Sequence, residues 1–386
     1  MEQNTSTKKP LVSIVITLYN GEKLISCALE SALNQTYSNI EVVVFDDAST
    51  DNTEAIVRKY AKADPRVVYV RNDSNIGYAR SLAKLPEIAS GEYAQLLGAD
   101  DWIADNCVET LVECMEDNPN AACITPEMIT LEEMPDNRFQ FLNKYIPKKK
   151  RPSKKFYIRN VYKTELGSTL TPYALFRKDD FLESASFIKD ALTNPPVPTP
   201  KEMLEVHSRG HATGTLFLLK VMHKYEYLIF TDKTVYIKTQ NSKNKTKAYN
   251  SIIDWVSAGR ILQSYYFDRI GYDYLFKSTY RKFRKGLRLF FSVEPFISIF
   301  FVFIKRGCKP KFFADLKWKD IKAYFADYSF AGRIMALLYL PIRLGIRTIS
   351  FGTRIFSVPR TQKKDVFKEE YFLNKKGYFS VPKIRS

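Results

Sequence analysis

Two pairs of neighbouring carboxylates are the side chains in this sequence best suited to chemistry: Asp46-Asp47 and Asp100-Asp101, each following a short apolar run. At the tip of a buried strand a carboxylate can accept a hydrogen bond from a nucleobase N–H or a ribose hydroxyl. The competing role for Asp47, and for Ser49 beside it, is capping of the next helix. Adjacent acids such as Asp100 and Asp101 repel each other unless a cation neutralises them. Hard carboxylate oxygens suit Mg2+ or Mn2+, and such an ion would bridge two phosphates and offset charge on a departing diphosphate. Plain turn and cap carboxylates are the alternative. Histidine offers less. His207, His211 and His223 are the chain's three, and the first two have the spacing of a helical metal pair. Gly210 between them and the missing third ligand argue against zinc.

Acids can be placed at strand tips only if the chain before them alternates strand and helix. It does. Leu11–Thr17, Ile40–Phe45, Val67–Val70 and Tyr93–Leu97 are short runs rich in apolar residues, the composition of buried parallel strands. Between and after them, Leu24–Leu33, Thr53–Ala63, Ala79–Ala89 and Asn106–Asn118 carry helical spacing, with Pro86 expected to kink or shorten the third helix. The pattern predicts a doubly wound α/β sheet, mostly parallel, with ligands at the carboxyl ends of its strands. Past about residue 135 the rhythm changes. Lys148–Lys155 (KKKRPSKK) is a basic loop, and strands are expected at Thr171–Arg177, Tyr227–Phe230 and Thr234–Lys238. A helix is expected at Thr215–His223, and from Ser251 to Phe351 the chain reads as helical, aromatic and basic. The expected organisation is one domain over 1–240, with halves at 10–120 and 121–240, then a basic region over 250–386.

The 386 residues, 45% hydrophobic and 26% charged, exclude disorder and a small disulfide scaffold. The net charge of +17 is unevenly placed: residues 1–143 hold 11 basic and 23 acidic side chains, the remainder 48 and 19. A basic back half implies an anionic partner. Five cysteines, none in a CxxC pair, point to a reducing cytoplasm. The first ten residues are polar and no run reaches the roughly 20 apolar residues of a membrane span. However, Tyr280–Phe291, Phe296–Arg306 and Arg333–Arg347 mix Lys and Arg with large apolar residues, the composition of helices lying in a membrane surface. No nucleic-acid recognition module accompanies the charge. The expectation is a cytoplasmic protein held peripherally on the inner face of the cell membrane, without nucleic acid as partner.

One resemblance draws these elements together. Val12–Gly21, then Gln35-Thr-Tyr37, Asp46-Asp47, Ser49-Thr-Asp51, Asn75-Ile-Gly77, Ala79-Arg80 and Ala99-Asp100-Asp101-Trp102 follow in an order and spacing that resembles glycosyltransferase family 2. These are inverting sugar transferases of GT-A fold, and the likeness extends over about residues 10–240. The resemblance implies that Asp47 binds uracil, that Thr17 and Tyr19 line the base pocket, and that Arg80 contacts phosphate. It implies a nucleotide-sugar site at Asp100 and a metal site at Asp101 and Asp100. The family's metal motif has the form Asp-x-Asp-Asp, and here Gly98 stands where its first acid would be.

The implied activity is transfer of a sugar from a nucleotide-sugar donor, UDP-linked, to a lipid-linked saccharide or a surface polysaccharide such as capsule, lipopolysaccharide or O-antigen. Mn2+ or Mg2+ would be the cofactor. An inverting enzyme also needs a base for the acceptor hydroxyl. The family's Glu-Asp pair is missing before the Thr215–His223 helix, which leaves His211 as the candidate, with His207, Glu205 and Glu202 behind it. A non-catalytic sugar-nucleotide-binding partner protein is the alternative of a different class. A nucleotidyltransferase is the other rival, disfavoured because Leu18–Gly21 supplies no glycine-rich phosphate loop.

Overall fold

The computed structural model describes residues 9–133, 139–145, 149–154, 173–193, 218, 220–222 and 224–241, together with Ile334 and Leu338. Apart from the end of one helix, the described elements belong to one unit, which takes in residues 1–189 and 217–244. Among the described residues that unit is built on a nine-stranded mixed sheet.

The front half follows the alternation expected from the sequence. Strand β1 (Val12–Leu18) leads to helix α1 (Ile25–Leu33), β2 (Ile40–Asp46), α2 (Thr53–Ala63), β3 (Val67–Arg71), α3 (Tyr78–Ile88) and β4 (Tyr93–Leu96). β1 is buried along its whole length, consistent with a β-branched run covered on both faces. β3, β2, β1 and β4 lie side by side and parallel. Their carboxyl ends therefore share one edge of the sheet. Pro86 falls in the last turn of α3, which ends two residues later at Ile88.

The back half adds β5 (Trp102–Ile103), α4 (Cys107–Glu116), β6 (Ala121–Glu133), β7 (Phe139–Tyr145), β8 (Leu175–Arg177), α5 (Lys178–Thr193) and β9 (Tyr227–Asn241). β8 joins β4 antiparallel and β6 joins β8 antiparallel. β9 then lies parallel to β6 and antiparallel to the short β5. The two strands expected at Tyr227–Phe230 and Thr234–Lys238 are one strand, β9, and register shifts against β6 interrupt their shared ladder. Leu218, Lys220, Val221 and Met222, in the expected Thr215–His223 segment, are helical. The main core is formed by the inward faces of β1, β2, α1 and α4, with Leu175 and Tyr236 arriving from β8 and β9. A smaller cluster of Trp102, Ile129, Leu131, Val235 and Ile237 packs beside β5.

Candidate active site

The exits of β1 and β2 are sewn together. The Asn20 N–H donates to Ser49 Oγ at 2.9 Å, Thr50 N–H donates to Asn20 Oδ1 at 2.8 Å, and Gly21 N–H donates to Thr53 Oγ1 at 2.9 Å. Glu22 N–H reaches Asp51 Oδ2 at 3.1 Å, while Asn52 N–H reaches Glu22 Oε2 at 3.0 Å. Two residues in the left-handed region turn the chain here, Asn20 at φ 55° and Ala48 at φ 62°. Asparagine tolerates that conformation, whereas an alanine there costs roughly 1–2 kcal/mol. The tip of β4 joins the same floor: a Cβ added to Gly21 would sit 3.8 Å from Ala99 Cβ.

The Asp46-Asp47 pair divides its work. Asp46 is fully buried and structural: its Oδ1 accepts from Ser49 N–H at 2.8 Å and Ser49 Oγ at 2.6 Å, and its Oδ2 accepts from the Tyr69 hydroxyl at 2.7 Å. Arg71 braces the same turn, donating to the Ser49 carbonyl at 3.0 Å. Asp47, 4% exposed, turns the other way. Its Oδ1 accepts from Asn72 Nδ2 and from Ile76 N–H, both at 2.9 Å, and its Oδ2 accepts from Gly77 N–H at 2.8 Å. A carboxylate can accept about four hydrogen bonds, so Asp47 keeps capacity for one more donor, on Oδ2. These bonds order the segment leading into α3, and neither Asp47 nor Ser49 caps the helix that follows them, which begins after Asn52 without a side-chain cap. Gly77, at φ 87°, takes the position immediately before that helix, a conformation that suits glycine.

Thr17 lies near the end of β1, buried, in register with Phe45. Tyr19 stands one residue beyond the strand with 49% of its surface exposed, an open aromatic face at the sheet edge. Arg80, in the first turn of α3, is exposed, and its Nη1 donates to the Ile76 carbonyl at 3.1 Å.

The second acidic pair departs from expectation. Asp100 is exposed, whereas Asp101, expected as a metal ligand, is 2% exposed and turned into the protein. Asp101 Oδ2 accepts from the Tyr236 hydroxyl at 2.8 Å, and its Oδ1 accepts from Thr239 N–H at 2.7 Å. Burial, and then the charge of Asp100, push its carboxyl above the usual carboxylate range, against the lowering influence of Thr239, Lys238 and Tyr236. The physical reason for the inward turn is space. A Cβ at Gly98 would lie 2.4 Å from Asp101 Oδ2, so the Asp101 carboxylate fills the volume that a side chain at position 98 would need. Partial burial, and then the charges of Asp101 and Asp100, raise the Tyr78 hydroxyl well above its ordinary value.

Among the described residues no group of three His, Cys, Asp or Glu could by itself hold a metal ion. The arrangement fits a different binding mode. Mg2+ and similar ions commonly keep several waters and are held by one or two carboxylates plus the phosphates of the substrate. Asp100 can supply that carboxylate, and Asp101 in its present orientation does not. His211, His207, Glu205 and Glu202 lie outside the described residues.

Asn72, Tyr78, Tyr236 and Thr239 escaped the sequence reading. Arg71-Asn72 ends a parallel strand as Asp46-Asp47 does, so strand-tip position was a usable signal for Asn72. The basic loop 149–154 runs beside β9 instead of standing free: Lys150 pairs with Asp232 at 2.6 Å, Lys154 with Glu226 at 3.6 Å, and Arg151 lies 3.6 Å over the Tyr227 ring.

Residues 13–183 match the model of the family described as glycosyl transferase family 2. Over 106 residues the chain is 38% identical to UDP-Glc:alpha-D-GlcNAc-diphosphoundecaprenol beta-1,3-glucosyltransferase WfaP of Escherichia coli, covering 28% of this chain and 41% of that protein. Over 125 residues it is 35% identical to chondroitin synthase of Escherichia coli, covering 32% of this chain and 18% of that protein. The chain therefore spans less than half of the length of these curated relatives. Among solved structures, S. aureus TarS 1–349 in complex with UDP-GlcNAc superposes with a TM-score of 0.53 at 18% identity, over 82% of this chain and 78% of that one. That likeness shows the fold, the mixed α/β arrangement expected as GT-A.

Proposed function

From the match of residues 13–183 to the glycosyl transferase family 2 model, we propose that the chain moves one sugar from a nucleotide-sugar donor, UDP-linked, to a lipid-linked saccharide or a surface polysaccharide, with inversion at the anomeric carbon. The observation that supports this most is the shared floor made by the exits of β1, β2 and β4, with buried Asp47 following β2 and exposed Asp100 following β4. A relative that acts on a diphosphoundecaprenol-linked acceptor, by its name, supports the lipid-linked choice.

In this reading the free lone pair of Asp47 accepts a base N–H, Thr17 and Tyr19 flank the base, and Arg80 offers its guanidinium to phosphate oxygens. Asp100 would hold Mn2+ or Mg2+ together with the diphosphate, and the bound ion would supply charge neutralisation for the nucleoside diphosphate as it leaves. Asp101 supports the turn from within. His211 is the proposed base that takes the proton of the acceptor hydroxyl.

Membrane-surface contact belongs to the same proposal. No helix among the described residues is long and apolar enough to cross a membrane. Ile334 and Leu338, one helical turn apart, are 41% and 60% exposed, which suits an apolar helix face meeting lipid.

The test is hydrolysis of a panel of nucleotide sugars with Mn2+ and with EDTA. Slow UDP release that requires the cation is expected. Turnover undiminished in EDTA removes the metal role, and nucleotide binding without any turnover favours a non-catalytic binding protein.

A further inference from the structure

Strand β9 grips the turn between Gly98 and Asp101 through four hydrogen bonds. The Gly98 N–H donates to the Tyr236 hydroxyl at 2.9 Å, and that hydroxyl donates to Asp101 Oδ2 at 2.8 Å. Thr239 N–H donates to Asp101 Oδ1 at 2.7 Å, and Thr239 Oγ1 donates to the Asp100 carbonyl at 2.6 Å. Asp100 thus sits between two clamped neighbours, with its own carbonyl tied as well. The gripping atoms are themselves fixed. Tyr236 is fully buried and its ring lies 4.3 Å from that of Tyr173. A hydroxyl on a packed ring has little freedom, so it sets the place of the turn instead of following it.

We propose that Tyr236 is a positioning residue for Asp100, with Thr239 as its helper: together they hold the 98–101 turn so that the Asp100 carboxylate faces the donor's diphosphate. This rests on reading Asp100 as the donor-side carboxylate. It adds that the geometry of Asp100 is dictated from β9, the strand that ends the described part of the sheet.

The consequence is specific. Loosening the clamp harms the cation-dependent part of donor binding and spares the base end, where Asp47 is held by Asn72, Ile76 and Gly77 independently of β9. The experiment is calorimetric titration of the full chain with UDP, with and without Mn2+, for wild type, Tyr236→Phe and Thr239→Val. Near-ultraviolet circular dichroism checks that each variant is folded. Thr239→Val removes one donor outside the packed aromatic pair, and it carries the test if Tyr236→Phe does not fold. The expected result is a loss of about tenfold in UDP affinity with Mn2+, the scale of one hydrogen bond, with Mn2+-free affinity changed less than about twofold. Equal losses in both conditions, or Mn2+ responses equal to wild type, overturn the positioning role alone. A wild type whose UDP affinity ignores Mn2+ overturns the Asp100 reading, and the positioning role with it.

Discussion

Replacing Asp47 by asparagine separates what this carboxylate does for the fold from what it does for a ligand. Three donors converge on it: Asn72 Nδ2, Ile76 N–H and Gly77 N–H, at 2.9, 2.9 and 2.8 Å. An asparagine can keep its carbonyl oxygen where Oδ1 lies, and its NH2 then faces the Gly77 N–H, donor against donor. One bond to a charged group is lost, worth about 1.5–3 kcal/mol, and the other two become neutral and weaker. A total near 3 kcal/mol follows, which for a domain of about 150–250 residues lowers Tm by roughly 6–12 °C. The assay is thermal unfolding followed by circular dichroism, with Asp73→Asn, one residue past Asn72 and exposed, as the neutral control. UDP affinity should fall as well, since the same oxygen that holds Gly77 is the one with room for a base N–H. A Tm within about 2 °C of wild type would refute the claim that these bonds order the 72–77 loop. Unchanged UDP affinity would refute the base-pocket role.

Gly98→Ala drives a Cβ to 2.4 Å from Asp101 Oδ2. The turn must open at a cost of about 1–3 kcal/mol, seen as a lower denaturation midpoint together with weaker Mn2+-dependent UDP binding. His211→Ala should lower kcat by about 10²–10⁴-fold with donor affinity kept, and wild-type activity should fall below roughly pH 6 as the imidazole protonates. A kcat near wild type moves the search to Glu205 and Glu202. The full chain should co-sediment with vesicles of anionic lipid and dissociate as salt rises, whereas a form lacking residues 280–386 should stay in the supernatant. Pelleting of the shortened form places the anchor elsewhere.

The front half was legible because its order comes from local pattern. Short apolar runs, helical spacing and turn residues placed β1 to β4 and α1 to α4 within a residue or two of their observed ends. The strand-tip position of Asp47 was legible in the same way, since a strand tip is a local property. The back half depends on partners far along the chain. β6 and β7 were not anticipated: β6 contains Pro126 and several acids and lacks clean alternation, and it is held as a strand by ladders to β7, β8 and β9. α5 was not anticipated either, although Asp179 and Asp180 stand in its first turn, where acids favour a helix start. Tyr236 could not be found from pattern at all. It reads as one more strand tyrosine, and its meaning comes from contacts with Gly98 and Asp101 across more than 130 residues. The inward turn of Asp101 was hidden for the same reason: adjacent acids look equivalent until the space around each is known.

The cross-stitching between residues 20–22 and 49–53 has a consequence for how a ligand would be received. Loops that are mobile before binding must be ordered when the ligand arrives, and each immobilised side chain subtracts about 0.5–1.5 kcal/mol from affinity. Here much of that ordering is already done during folding, and the left-handed Asn20 and Ala48 are kept in place by the same bonds. The floor is therefore receptive as it stands. Amide hydrogens of Asn20, Gly21 and Thr50, although near the surface, should exchange slowly with or without nucleotide, so that this corner of the molecule acts as a fixed reference for whatever binds beside it.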